Sequence, residues 1–323
     1  MTFSEFNLIE RFFVRDNPQR KDVVLGIGDD CAILNVPEGQ SLAVSMDTLV
    51  EGVHFLHDTA AADVAAKAMA VNLSDLAAAG AEPAWVTLSL SIPKIDMGWL
   101  QAFSDSFHEL LNHYGLQVVG GDTTKGPLSI TLQVHGFVPA SVALKRSGAK
   151  AGDIVCVTGP LGDACLGLKV AQHKLAANGD VRDYLLNQYY RPKARVAAGI
   201  ALRSRASAAI DISDGLVADL GHICKASDVG AVIYTEQIPI SESAKQVTSA
   251  ERVMDCALTG GDDYELCFTV PEDDLRKVQA ALETVGVACY EVGRITGKKG
   301  VRVIQDGEEL ELNKAGFDHF AAA

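Results

Sequence analysis

Along the chain the spacing of apolar residues switches several times between a period of two, which marks strands, and one near 3.6, which marks helices. The runs VVLGIGDD at 23–30 and LAVSMDTLV at 42–50 read as β. Between Asp63 and Ala79 the segment DVAAKAMAVNLSDLAAA is dense in strong helix formers and stops before Gly80, a suitable C-cap. WVTLSLSI at 85–92 and SITLQVHGFV at 129–138 alternate as strands do, and WLQAFSDSFHELLNHY at 99–114 carries helical spacing up to Gly115.

A basic, glycine-containing stretch, LKRSGAKAGD at 144–153, separates this half from a second one. The second half opens on the β run IVCVTG. Helical stretches follow at 162–177 and 193–206, then the short strand AIDIS at 209–213 and a helix starting near Asp214. YELCFTV at 264–270 and VRVI at 301–304 are strand candidates, with the charged helix DDLRKVQAALETV between them. Strands and helices are mixed in both halves, which predicts an α/β (α+β) chain of two mixed-sheet domains, residues 1–143 and 144–323. A length of 323 residues also favours two cores over one.

Composition narrows the function classes. With 48% hydrophobic and 22% charged residues the chain is too apolar to be disordered. Its 28 basic against 42 acidic residues, net −14, argue against a general nucleic-acid binder, which depends on clustered Lys and Arg. No run of about 18 apolar residues is present and the start, MTFSEFNLIERFF, lacks signal-peptide features. The expectation is a cytoplasmic protein without membrane contact. Seven scattered cysteines show neither C-x-x-C nor zinc spacing and read as reduced, mostly buried thiols.

Candidate chemistry lies in the aspartates. Asp29 and Asp30 sit in GIGDD, Asp47 in SMDT, Asp75 in NLSD, Asp122 in GGDTT, Asp211 and Asp214 in DISDG, and Asp262 and Asp263 in GGDDYE. Most fall at the end of a β run or beside glycine. Singly, each reads equally as a turn former or helix N-cap. Strand ends beside glycine turns also form ligand crevices, and carboxylates gathered in one crevice would repel each other unless cations joined them. Oxygen ligands alone favour Mg²⁺ or Mn²⁺ over Zn²⁺, and Mg²⁺ typically links a few carboxylates to substrate phosphates.

No dinucleotide fingerprint or Walker loop occurs. Paired glycines before Asp122 and Asp262 allow either a tight turn or close approach of backbone to a phosphate. Arg146 is either a solvated charge or a bidentate phosphate clamp. His54, in EGVHF, is the one histidine beside an acidic motif, and is either structural or functional.

Seven segments taken in order, GIGDDCAIL, SMDTLVEGVHF, AVNLSDLAAAGAEP, VVGGDTTKGPLSITLQVHG, RSGAKAGDIVCVTG, AIDISDGLVADLGHI and TGGDDYELCFT, resemble the thiamine-monophosphate kinase family. The resemblance runs from about Glu5 to Phe320. The wider superfamily includes aminoimidazole ribonucleotide synthetase, selenophosphate synthetase and a hydrogenase maturation factor, and shares a two-domain layout with an Asp-lined ATP site. The resemblance implies an N-terminal domain that binds ATP and Mg²⁺ and pairs into a homodimer, with a C-terminal domain that completes the active site. It implies ATP-dependent phosphorylation of thiamine monophosphate to thiamine diphosphate, assisted by several Mg²⁺ ions.

By motif, Asp30, Ser45, Met46, Asp47, Asp75 and Asp122 then match metal positions of the first half, with Asp211 and Asp214 from the second. Gly121, Asp122, Arg146 and Ser213 match ATP-binding positions. His54, Asp262 and Phe317 match positions that hold the thiamine phosphate, Phe317 either by stacking on a thiamine ring or only by packing on the domain. The family often has threonine at the place of Met46. A thioether is a poor ligand for Mg²⁺, so contact there falls to the backbone carbonyl. A phosphate monoester acceptor is mostly dianionic at pH 7 and needs no protein base, so a direct in-line transfer without a catalytic nucleophile is expected. Two alternatives stay open on sequence: an ATP-dependent synthetase of the aminoimidazole ribonucleotide type, which would release inorganic phosphate, and a nucleotide-binding regulator without turnover.

Overall fold

The computed structural model describes residues 5–14, 17–312 and 316. The chain divides into two compact units, residues 1–76 with 81–141, and residues 77–80 with 142–323. Helix α1 (Glu5–Ile9) leads through a wider turn, Glu10–Val14, to a small antiparallel ribbon of β1 (Val23–Leu25) and β2 (Ile33–Leu34). The main elements of the first unit are β3 (Gln40–Val50), α2 (Ala61–Ala78), β4 (Glu82–Ile92), α3 (Met97–Tyr114), β5 (Gln117–Lys125) and β6 (Ser129–Pro139). Their four strands form one sheet in the order β3-β6-β4-β5, antiparallel except for the β4–β5 pair.

Period-two patterning sorts the sheet's two faces. On β3, Leu42, Val44 and Met46 are exposed, whereas Ser45 and Asp47 alternate with them on the face met by α2. On β6, Ile130, Leu132 and Val134 are fully buried. Helix α3 begins two residues earlier than the apolar spacing predicts because the Asp96 carboxylate caps it, accepting from the Gly98 and Trp99 N–H groups at 3.0 Å each. It ends at Gly115 as expected. Stacked Trp99, Phe103 and Phe107 carry its apolar stripe, and Phe13 meets Phe107 edge to face.

The second unit contains β7 (Ile154–Val157), α4 (Asp163–Ala171), α5 (Gly179–Tyr190), α6 (Val196–Leu202), β8 (Ala208–Asp211), α7 (Leu216–Ser227) and β9 (Gly230–Tyr234). After these come α8 (Glu242–Val247), α9 (Ala250–Thr259), β10 (Leu266–Val270), α10 (Leu275–Glu283), β11 (Tyr290–Thr296), β12 (Gly300–Gln305) and β13 (Glu308–Glu309). The sheet order is β13-β12-β9-β11-β7-β10-β8, with only β9 and β12 parallel. Val155, Val157, Ile210, Ile212, Leu216, Leu220 and Ile223 form the centre of its core. The central strands are buried on both faces, so they read as continuous apolar runs.

Several expectations need correction. The run at 23–30 is a strand only to Leu25, since Gly26–Asp30 turns away. Helix α4 stops at Ala171, not at 177, and His173 then takes a positive φ of 57°. The stretch at 193–206 is helical only over Val196–Leu202. β10 starts at Leu266, since Asp262–Glu265 are irregular, with positive φ at Asp262 and Tyr264. Of the cysteines, Cys31 is exposed and Cys165 and Cys289 are half-buried; the other four are buried.

Candidate functional site

In the first unit a polar group forms where β3 meets α2. Asn72 and Asp75 lie three residues apart and so share a helix face. Asn72 accepts from the Asp47 backbone N–H at 3.0 Å and anchors its own amide to the Ala68 carbonyl at 2.9 Å. The Ser45 hydroxyl donates to the Asp75 carboxylate at 2.5 Å. Burial, reinforced by the neighbouring Asp75 carboxylate, pushes the Asp47 carboxyl up to about 6. Ser45, Asp47 and Asp75 therefore present a strained pair of acids with only oxygen donors. Such a set suits a hard divalent cation, and Mg²⁺ characteristically takes one or two carboxylates and fills its other positions with water and phosphate.

The remaining first-unit candidates stand apart from this group. The side chain of Met46 is 60% exposed, on the face opposite Ser45 and Asp47, so its thioether plays no part there. The pairing row Thr48–Thr131–Ser89–Asp122 puts exposed Asp122 on that same outer face, on the far edge strand. Gly121 before it has φ 154°, and a Cβ there would stand 1.9 Å from the Leu88 carbonyl oxygen. The close approach that this glycine permits is thus to strand β4. Asp30 is exposed in the turn before β2 and donates its N–H to the Asp29 carboxylate at 2.8 Å. His54 is half-buried, and its Nδ1 accepts from the Val50 N–H at 3.0 Å, which leaves the neutral ring's proton on Nε2.

In the second unit the DISDG and GGDDYE motifs lie against each other. Ile212 donates to the Glu265 carbonyl at 2.8 Å, Asp262 to that of Ser213 at 2.9 Å, and Tyr264 to that of Ile212 at 2.9 Å. A Cβ on Gly261 would stand 2.3 Å from the Ser213 oxygen, so the second glycine is needed for this contact. Asp211 is buried at the end of β8, while Ser213, Asp214 and Asp262 are half-buried. Asp262 and Tyr264 both have positive φ, 72° and 50°, and the Tyr264 hydroxyl donates to the Asp262 carboxylate at 3.0 Å. Non-glycine residues held in this region are concentrated at functional sites.

Two supporting residues, Asp219 and Glu265, were missed from sequence, and a third, Asp263, was named there without a role. The Asp219 carboxylate, 2% exposed on the first turns of α7, accepts from the N–H groups of Ser213, Asp214 and Gly215 at 3.0, 3.0 and 3.1 Å. It thereby fixes the DISDG turn. Glu265 receives Arg195 bidentately, Nε at 2.7 Å and Nη2 at 2.5 Å, and the Thr158 hydroxyl at 2.6 Å. Asp263 turns inward and accepts from the Gly162 and Ala164 N–H groups at 2.7 and 3.3 Å at the start of α4; its burial drives the carboxyl far above the usual range. Only Asp219 had a readable signal, one turn beyond a glycine-started helix. Glu265 and Asp263 depend on partners some 70 and 100 residues away.

Arg146 is exposed in the loop before β7, where the Ser227 hydroxyl donates to its carbonyl at 3.2 Å. The neighbouring Lys145 carbonyl accepts from Ala209 of β8 at 2.9 Å, tying this loop to the strand that ends in Asp211. Phe317 lies outside the described residues. Among the described residues no three Asp, Glu, His or Cys side chains stand close enough to hold a metal ion by themselves.

Comparison with known proteins agrees with this division. Models of the AIR synthase related protein N-terminal and C-terminal domains match residues 28–138 and 150–306. The thiamine-monophosphate kinase of Escherichia coli K12 is 53% identical over 323 residues, 99% of each chain. The chain belongs to the thiamine-monophosphate kinase family. The Haemophilus influenzae thiamine-monophosphate kinase is 41% identical with 99% of both chains covered. Among solved structures, the thiamine-monophosphate kinase of Stenotrophomonas maltophilia K279a matches at TM-score 0.87 and 42% identity, covering 96% of this chain and 99% of that one. AaThiL complexed with AMPPCP and TMP matches at TM-score 0.78 and 30% identity, with 99% of both covered. Escherichia coli HypE, a hydrogenase maturation protein, shares the fold at TM-score 0.78 and 22% identity.

Proposed function

We propose that the chain transfers the γ-phosphoryl group of ATP directly to the phosphate of thiamine monophosphate, giving thiamine diphosphate and ADP. The observation that carries this reading is full-length similarity to a kinase structure that holds AMPPCP together with TMP. The acceptor is a phosphate monoester, largely dianionic at neutral pH, and is already nucleophilic. The difficulty is bringing two polyanions together in line, so binding and charge compensation carry the catalysis rather than a base.

The chain's own residues divide that work. Ser45, Asp47 and Asp75 form an oxygen cradle that fits Mg²⁺, and Asn72 fixes its geometry through the Asp47 backbone. When bound, Mg²⁺ offsets the charge on the phosphates. Asp30 and Asp122 lie apart from the cradle and, with Asp211 and Asp214, would serve different ions. Met46 contributes its carbonyl at most. Ser213, on the turn locked by Asp219, together with Gly121, Asp122 and Arg146, binds ATP. His54, with its proton on Nε2, offers the thiamine phosphate a donor, and Asp262 and Phe317 complete that site.

Residues 1–143 are assigned ATP and Mg²⁺ binding and self-association, and residues 144–323 the completion of substrate binding. Edge strand β3 exposes Leu42, Val44 and Met46 at alternate positions, the kind of apolar edge that is normally covered, which supports a homodimer through this sheet. The net charge of −14 supports small anionic substrates reached through Mg²⁺ rather than nucleic acid or membrane, and a cytoplasmic place of action. No helix among the described residues is long and apolar enough to cross a membrane.

Asp75→Asn tests the cradle. It keeps the bond from Ser45 but removes one of the two charges, so the Mg²⁺ concentration for half-maximal rate rises at least tenfold and turnover at fixed Mg²⁺ falls by at least a factor of 100. A Mg²⁺ titration within twofold of the unsubstituted protein would remove the assignment.

A further inference from the structure

A thiol pair in the second unit takes no part in the proposed reaction. Cys165, on the first turn of α4, donates its S–H to Cys256 of α9 with the sulfurs 2.8 Å apart, and Lys169 Nζ lies 3.0 Å from the Cys256 sulfur. Lys169 follows Cys165 by four residues, so both project from one face of α4 toward α9. Closing the pair to a disulfide, with S–S about 2.05 Å, requires a movement of under about 1 Å. Cys256 is buried at 1% exposure, and Cys165, half-buried, is the side from which a small oxidant arrives.

The surroundings separate the two sulfurs chemically. The hydrogen bond from Cys165 acts first and, with Lys169, outweighs burial, bringing the Cys256 thiol down to about 7; Cys165 keeps its proton, held by the same bond. The other charges facing the pair are Asp255, which acts on Cys256 and Lys169, and Asp263, which acts on Cys165; both oppose thiolate formation. The pair also touches the substrate-side motif. A Cβ on Gly260, the first glycine of GGDDYE, would lie 2.6 Å from Cys165 Cβ and 2.4 Å from the Cys256 carbonyl.

We propose that Cys165 and Cys256 form a reversible dithiol–disulfide site for hydrogen peroxide, with Lys169 as the residue that holds the attacking thiolate. The Cys256 thiolate attacks one peroxide oxygen and the O–O bond breaks, giving a sulfenic acid and hydroxide, which takes up the proton released on thiolate formation. The Cys165 sulfur then attacks the Cys256 sulfur, the S–O bond breaks, and the Cys165 proton leaves with the hydroxyl as a second water. Two thiols are oxidised and one peroxide is reduced to two waters.

The test treats the full-length protein with hydrogen peroxide, alkylates it in denaturant and maps its peptides by mass. The expected result is a peptide joining Cys165 to Cys256 with the loss of two hydrogens, reversed by dithiothreitol. The link is absent in Cys165→Ser, in which the Cys256 sulfenic acid is trapped by dimedone, and is retained in Cys289→Ser. At pH 7 a thiol at about 7 is half ionised against about 3% for an ordinary cysteine; the lower nucleophilicity of the more acidic thiolate offsets part of this. Lys169→Met therefore slows link formation by up to about threefold at pH 7, a difference that closes near pH 8 and reverses above it. A link between Cys156 and Cys289 instead, gain of oxygen without loss of hydrogen, or an equal rate in Lys169→Met at pH 7 would each overturn the assignment.

Discussion

Replacing Asp219 by alanine strips the DISDG turn of its anchor while leaving every side chain proposed to bind substrate in place. Three backbone N–H groups, those of Ser213, Asp214 and Gly215, lose their acceptor at once. A buried donor left unmet costs about 1–3 kcal/mol. The Gly215 group is buried and pays in full, whereas Ser213 and Asp214 are half-buried and recover part of the loss from water. The total comes to about 2–4 kcal/mol, within a typical domain stability of about 5–15 kcal/mol, so the variant folds. At about 2–4 °C per kcal/mol for a unit of this size, the unfolding midpoint of the second unit drops by about 4–16 °C. Urea unfolding with calorimetry reads the stability, and steady-state kinetics reads the consequence: KM for ATP rises more than KM for thiamine monophosphate, because Ser213 sits on the released turn. Asp219→Asn keeps an oxygen acceptor and loses about half as much. A loss below about 0.5 kcal/mol in the alanine variant, or equal changes in both KM values, would refute the role given to this carboxylate.

Two further outcomes follow from ion pairs within each unit. Arg195→Met leaves the 6%-exposed Glu265 with only Thr158 as a side-chain partner among the bonds described; unfolding free energy falls by about 3 kcal/mol, and adding Glu265→Gln restores part of it in a double-mutant cycle. Asp22 accepts from Arg20 at 3.0 and 2.8 Å and from Trp85 Nε1 at 2.8 Å; burial alone would raise its carboxyl, but these donors together hold it below the ordinary value. A lowered folded-state value contributes stability above the unfolded pKa and loses it as pH falls through the folded one, so the gap between the unsubstituted protein and Asp22→Asn, about 1–2 kcal/mol at pH 7, shrinks steadily below about pH 4. A gap that widens on acidification would contradict this.

Legibility in the sequence depended on how local the deciding interaction is. Helix α3 was readable because its apolar stripe and its stop at Gly115 are local; its cap at Asp96 was not read, and the start moved by two residues. Strands β5, β9 and β11 were not. VVGGDTTK reads as a turn because two glycines interrupt it, and only the pairing of Gly121 with Leu88 makes it a strand. The aspartate motifs were visible as a set, and seven motif segments in order were enough for the family. What their spacing did not contain was which face each side chain takes. Asp47 and Asp122 both read as strand-end carboxylates, yet the pairing register sends them to opposite faces of one sheet. Partners brought in from far along the chain, such as Arg195 for Glu265 and Asp263 for the start of α4, leave no local trace.

The account rests on a single transfer from nucleotide to phosphate acceptor, and the fate of a labelled γ-phosphoryl group tests it most directly. Purified protein is incubated with γ-labelled ATP, Mg²⁺ and thiamine monophosphate, with thiamine as the control acceptor, and the label is followed in products and in acid-quenched protein. The predicted result is label in the terminal phosphate of thiamine diphosphate in step with ADP, with none on the protein and no turnover with thiamine. Label released as inorganic phosphate, or retained on the chain during turnover, would contradict it.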